Sequence, residues 1–228
     1  PQFSTTTSGS SLADWQRAAA RCGLRAPSTA VCCYPAEPGF VTAVAEAIRP
    51  VLAEAAGQGR PRVLFSAHGL PKRIVERGDP YQWQVERSAA AVAEALGDPD
   101  LDWRVCYQSK VGPLEWIGPA TDDEIRRAGS EGVPLVVVPI AFVSEHSETL
   151  VELDEEYGRL AEASGVPGYH RVPTVGTAGD FIAGLAALVE RAAKDRGDIL
   201  AGEDDGGRLC PARCGRCPRD GAPAAGKA

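Results

Sequence analysis

The amino-acid sequence predicts an α/β fold, a Rossmann-type parallel sheet flanked by helices. Two observations carry that expectation. From Arg62 onward, short runs rich in strand formers alternate with longer stretches of helical period, the signature of successive strand–helix–strand crossovers. The runs are also apolar on nearly every residue, as strands buried on both faces of a parallel sheet must be. The 228 residues, 44% hydrophobic and 24% charged, are enough for one large domain or two small ones with a sizeable core.

Ser10 to Ala20 reads as a short helix, because serine oxygens at its start can accept from free backbone N–H groups. "RAPSTAVCCYPAEPG" is loop-like, rich in proline and small residues. Phe40 to Ala56 is helical in period and is ended by Gly57-Gln58-Gly59. "RVLFSA" (Arg62 to Ala67) is a strand, Tyr81 to Leu96 a helix and "WRVCYQ" (Trp103 to Gln108) a strand. Thr121 to Ala128 is helical, with Asp122, Asp123 and Glu124 where the helix dipole favours anions. "PLVVVPIAFV" (Pro134 to Val143) is the most apolar strand, and the acidic "FVSEHSETLVELDEEY" runs on from its end as a helix. "HRVPTV" is a last short strand and Gly179 to Ala193 a last helix. Lys194 to Leu209, charged and glycine-rich, reads as a linker to "CPARCGRC", and the end "PRDGAPAAGKA" as disordered.

Bulk charge narrows the classes of partner. A net charge of −7, from 31 acids against 24 lysines and arginines, argues against nucleic acid. No run approaches the roughly 20 apolar residues of a membrane helix, and no secretory signal opens the chain. A cytoplasmic protein is expected, with peripheral membrane contact left open. Methionine is absent, including at position 1, so the chain reads as a fragment lacking an N-terminal portion. Without an export signal, the clustered cysteines among the seven point to metal or cluster binding rather than disulfides.

Ligands of a parallel sheet sit beyond the carboxyl ends of its strands, which points at "SAHGLPKR", "QSKVGPLEWIGPAT" and "VSEHSE". His68 stands just past a strand, and both a hydrogen-bonded turn histidine and a proton acceptor or metal ligand fit that place. Glu148, Glu152 and Glu156 recur at i, i+4 and i+8, with Leu150, Leu153 and Tyr157 on the opposite face. That spacing suits an ordinary amphipathic surface helix. Against it, three like charges in file repel without a counter-ion, and Glu148 stands near the ligand-binding edge. Lys110 and Trp116, in a glycine–proline frame, suit either a flat anionic ligand or a packed loop.

"PQFSTTTSGSS", "LFSAHGLP", "YQSKVGPLEWIGPAT", "PIAFVSEHSETLVELDEEY" and "FIAGLAALV" occur in an order and spacing that resemble ferrochelatase, the enzyme that inserts ferrous iron into protoporphyrin to make haem. The resemblance runs from Pro1 to about Ala193 and covers the family's later two-thirds. It implies a chelatase-like fold, of which this chain holds the second of two similar halves with the first truncated. It puts the family's active-site histidine on His68 and its partner carboxylate on Glu148. The metal-facing row would be His68, Glu148, Glu152 and Glu156. Porphyrin contacts would come from Lys110, Trp116, Tyr107 and His146; Glu145 flanks the site, and His170 is expected to be structural. The implied mechanism bends the macrocycle to expose its nitrogens, with His68 accepting the two displaced protons or ligating Fe²⁺, and the glutamates easing its dehydration. The implied partners are protoporphyrin IX and ferrous iron, with the assembly a monomer or a homodimer.

Cys210, Cys214 and Cys217 have the spacing C-x₃-C-x₂-C, suited to a tetrahedral metal or to part of an iron–sulfur cluster. The family resemblance extends this to a [2Fe-2S] cofactor, with Cys33, Cys32 or Cys22 as the distant fourth ligand and Cys33 preferred. Cys106 is expected to be merely buried. The expected division is 1–60, a remnant of the first half plus a linking helix; 61–195, the domain with the active site; and 196–228, linker and cysteine tail. Two other functions stay open: a coproporphyrin or cobalt chelatase of the same fold, and a non-catalytic haem- or iron–sulfur-binding module.

Overall fold

The structure is a computed structural model, and it describes residues 1–194, 199–202 and 208–219. Four strands form the central sheet: β2 (Arg62–His68), β3 (Trp103–Gln108), β4 (Leu135–Pro139) and β5 (Tyr169–Arg171), in the order β3-β2-β4-β5 and all parallel. A second, two-stranded sheet pairs β1 (Ala30–Cys33) with β6 (Ile199–Ala201), again in parallel. The expected parallel α/β architecture is what the chain adopts.

The central strands are apolar throughout because both faces are covered. Val63, Phe65, Ala67, Val136 and Val138 face one core, shared with α2 (Pro38–Ala55), α4 (Tyr81–Leu96) and α7 (Gly179–Lys194). Leu64, Cys106, Leu135 and Val137 face the other, covered by α5 (Thr121–Glu131) and α6 (Tyr157–Ala163). Each buried valine, leucine or phenylalanine among them contributes about 1.5–3 kcal/mol. Helix ends obey local chemistry. Pro38 opens α2 with the Glu37 carboxylate accepting from Phe40 N, and Gly97, at φ 76°, ends α4 in the left-handed region. The remaining helices are α1 (Ser8–Arg21) and the short α3 (Lys72–Glu76).

Four expectations are corrected. "AVCC" is a strand inside the expected loop, since Cys32 and Cys33 are buried against Phe3 and find a ladder partner far along the chain. That partner, β6, lies in the expected linker; residues 195–198, 203–207 and the tail from 220 onward lie outside the described residues. β4 stops at Pro139 rather than Val143, because the chain turns there, with Ile140 N donating back to Val138 O and Phe142 N to Pro139 O. The last strand of the central sheet is Tyr169–Arg171, short of the Pro173 that cannot donate to a ladder.

Topology selects the site. The chain leaves β2 towards β3 on one side, and leaves β4 towards β5 on the other. Neighbouring strands whose exits diverge leave a crevice between their carboxyl ends. The β2 exit carries His68 and the β4 exit leads to Glu148. Among the described residues no helix is long and apolar enough to cross a membrane.

Candidate active site

His68 is the last residue of β2, in register with Gln108 at the end of β3. Its Nδ1 lies 2.7 Å from Gly69 O, so the neutral ring donates there and leaves Nε2 facing the crevice as an acceptor. Nε2 lies 3.9 Å from Glu148 Oε1. That is beyond hydrogen-bond length but within reach of a shared proton or cation. The two side chains are 39% and 34% exposed, accessible to a ligand yet shielded from bulk water. Trp116 lines the same edge, its ring centroid 6.4 Å from that of His68 and its Nε1 donating to Val111 O. The loop before it is zipped onto the β2 exit by Ile117 N to Leu70 O and Lys72 N to Glu115 O. Gly69 permits this: a Cβ there would meet Trp116 and Gln108 O at 3.0 Å.

The β4 exit is braced from beneath. Glu145 accepts from Thr149 Oγ1, Thr174 N, Thr174 Oγ1 and the Arg171 guanidinium. Burial works against its ionisation, but these donors together outweigh it and hold the carboxyl at about 2, below its ordinary 4.5. A depressed carboxylate stabilises the fold fully above its unfolded value, and that stability is lost as pH falls from about 4.5 towards 2. Glu145→Gln is therefore expected to flatten the acid limb of stability in that window. Urea melts between pH 2 and 6 check it, and parallel limbs for both proteins would refute it. His146, exposed, stacks on Phe142 with centroids 6.1 Å apart, and its Nδ1 accepts from Glu148 N at 3.3 Å.

The acidic stretch is helical, but Glu148–Glu156 is a π-helix that passes into α6 at Tyr157. The wider i→i+5 turn makes an i, i+4, i+8 row precess around the axis. Leu153 is buried, yet Leu150, expected beside it, is 48% exposed. The three glutamates part company likewise. Glu148 faces His68. Glu152 accepts from Gln108 Nε2, Ser109 N, Ser109 Oγ and Tyr157 OH, at 3.0, 2.7, 2.5 and 3.0 Å. Glu156 is exposed. Ser109 reaches Glu152 through both donors by adopting φ 64°, a strained setting for a residue with a side chain. Gln108 is fixed in turn by Ser66 Oγ, which donates to its Oε1 and contacts Thr121.

Lys110 is exposed in the following loop. Tyr107 is not brought to the crevice: it is 3% exposed, on the face of β3 opposite Gln108, with its hydroxyl buried and unpaired. Strand alternation puts it there, and the porphyrin contact expected of it has no surface to use. His170 bonds Gln58 across the far end of the sheet, a structural place. Sequence reading missed Gln108, Ser109 and Asp79. Asp79 is buried and accepts from Ser4 Oγ, Thr5 N, Thr5 Oγ1 and Tyr81 N. "GDPY" at a helix start was its available signal.

The cysteines gather on the other side of α4. Cys210, Cys214 and Cys217 are buried against Trp83, and Cys33 is buried beside Cys32, whose sulfur lies 3.1 Å away. Contact with Cys32 and then burial push the Cys33 thiol well up, and the charges of Cys210 and Cys217 add to that. Gln84 touches both groups, at 3.4 Å from Cys33 Sγ and 3.2 Å from Cys210 Sγ. Cys22 is exposed at the end of α1, away from this set, and Cys106 is buried in β3, its thiol pushed by burial to about 12. Among the described residues no three ligand side chains are drawn close enough to clasp a metal ion as they stand.

A parallel sheet carrying a histidine–glutamate pair at its switch point defines a chelatase-like α/β protein. Residues 1–193 match the ferrochelatase family model, and the chain belongs to that family. It is 55% identical over 218 residues to a ferrochelatase of Phenylobacterium zucineum, covering 95% of this chain and 61% of that protein. It is 51% identical over 230 residues to one of Caulobacter vibrioides, covering 98% and 63%, and 44% identical over 218 residues to one of Rickettsia bellii, covering 95% and 59%. The chain spans about three fifths of the length of these relatives.

Proposed function

We propose that the protein is a lyase of haem biosynthesis that inserts Fe²⁺ into protoporphyrin IX. The observation that carries the reading is the His68–Glu148 pair, 3.9 Å apart across the switch-point crevice of a ferrochelatase-family chain. His68 Nε2, an acceptor with its other nitrogen engaged, takes one pyrrole proton at a time as the metal enters and passes it on to water before the second. Glu148 offers a hard oxygen to the proton or to Fe²⁺. His146 steadies the Glu148 backbone, while Trp116 and Lys110 offer a flat face and a cation to the macrocycle and its carboxylates. Glu152, holding four hydrogen bonds, gives up donors to reach a metal, so it serves first to set the β3 exit loop; exposed Glu156 fits an outer stop for an arriving cation. The test is metalation by the full-length protein, followed in the porphyrin absorbance bands with Fe²⁺ or Zn²⁺. An unchanged spectrum overturns the reading, and preference for coproporphyrin or cobalt would redirect it to those substrates.

We also propose a resident [2Fe-2S] cluster held by Cys33, Cys210, Cys214 and Cys217. The chemistry of the donor set suits it: Cys210, Cys214 and Cys217 are buried against Trp83, and Gln84 reaches from Cys210 to the buried Cys33 of a distant segment, so four thiols lie away from solvent although they do not yet clasp a metal ion as they stand. When bound, such a cluster supplies a one-electron couple. Anaerobically purified protein is expected to be coloured, with two irons and two sulfides per chain as that cluster type requires. A colourless, zinc-loaded protein refutes it. The division into 1–60, 61–195 and 196–228 stands as a proposal, with β1 and β6 joining its first and last parts.

A further inference from the structure

We propose that Gln84 is a positioning residue for the metal group at Cys33 and Cys210, and that its two amide N–H groups tune that group's reduction potential. The inference rests on the cluster reading above. Gln84 lies in α4, fully buried. Its Oε1 accepts from Phe3 N at 2.7 Å, which leaves Nε2 no choice but to face the sulfurs. A primary amide has two N–H bonds. They meet Cys210 Sγ at 3.2 Å and Cys33 Sγ at 3.4 Å, on two segments far apart in the chain. The turn of α4 that carries it is tied to the β1 exit, because Ser88 Oγ donates to Pro35 O at 2.6 Å and lies 3.0 Å from the Gln84 backbone carbonyl.

The physics is that of a dipole held beside a ligand. Hydrogen bonds to ligand sulfurs favour whichever state places more negative charge on them, which is the reduced one, and so raise the potential. Burial strengthens the effect, since a low-dielectric surrounding screens the amide dipole less than solvent would. Two donors from one amide act together on two ligands from distant parts of the chain.

The experiment uses the full-length protein purified anaerobically, with Gln84→Met and Gln84→Glu. Methionine removes both donors at similar volume. Glutamate keeps an acceptor for Phe3 N and remains a test if methionine does not fold. Iron and sulfide content shows that the cluster is present, and a potentiometric titration followed in visible absorption reads its midpoint. Each variant is expected to shift the reduction equilibrium at least tenfold towards the oxidised form, which is about 59 mV for a one-electron couple. Glutamate, adding a negative charge, is expected to shift it further than methionine. Iron-bearing variants at the wild-type midpoint overturn this proposal alone, as does a folded Gln84→Met protein that takes up no iron, which would make Gln84 a structural wedge. A wild-type protein without iron or sulfide overturns the cluster reading and this proposal with it.

Discussion

His68→Ala and Glu148→Ala are each expected to slow porphyrin metalation by about 100-fold or more, the lower range for loss of a positioned acid or base. Folding is expected to be almost untouched. Both side chains are about a third exposed, so truncation opens no core cavity, and changes of about 0.5 kcal/mol or less are ordinary at such positions. Because the pair faces one proton or one cation, the double variant should lose little more than the worse single. Glu156→Ala, removing an exposed carboxylate, serves as the control and should stay within a few-fold of wild type. Rates come from the porphyrin absorbance bands, and thermal melts establish that the variants are folded. Wild-type rates in both single variants would remove the mechanism.

Asp79→Ala is expected to be the most destabilising polar substitution in the described structure, costing about 2–4 kcal/mol. One oxygen accepts from Ser4 Oγ, Thr5 N and Thr5 Oγ1, and the other from Tyr81 N at the start of α4. Alanine leaves those donors without an acceptor in a place that is 3% exposed. Asparagine should recover only part of the loss, since its NH₂ would point at groups that themselves donate. The same loop receives the cysteine tail: Arg216 N donates to Gly78 O, and a Cβ on Gly78 would meet Gly215 N at 2.8 Å. Denaturant melts give the magnitude. Hydrogen exchange should show the Thr5 and Tyr81 amides opening early, and a loss under about 0.5 kcal/mol would sink the claim.

The sequence showed most plainly what periodicity and burial alone decide. Tyr81–Leu96 and Trp103–Gln108 end where their patterns end, because their apolar positions have a core to pack against. His68 and Glu148 were legible through strand ends and the family resemblance together. What stayed hidden depends on partners distant in the chain. "AVCC" looks like a loop until Ile199–Ala201 is placed beside it. The π-helix is silent in a pattern read at the α-helical period, so the exposure of Leu150 and the parting of Glu148, Glu152 and Glu156 could not be foreseen. Gln84 and Gln108 carry no periodic signal at all; each matters because a polar group buried without water must find a partner.

The pairing of β1 with β6 has a consequence for how the chain is made. A ribosome delivers residues in order, at roughly 5–20 per second, so β1 emerges on the order of ten seconds before β6. Through that interval Cys32 and Cys33 ride on a nascent strand whose ladder partner has not been synthesised. The central sheet can mature meanwhile, since β2 to β5 lie entirely within the stretch already released. Closure of the small sheet, and the gathering of thiols beside it, therefore waits until β6 has been made.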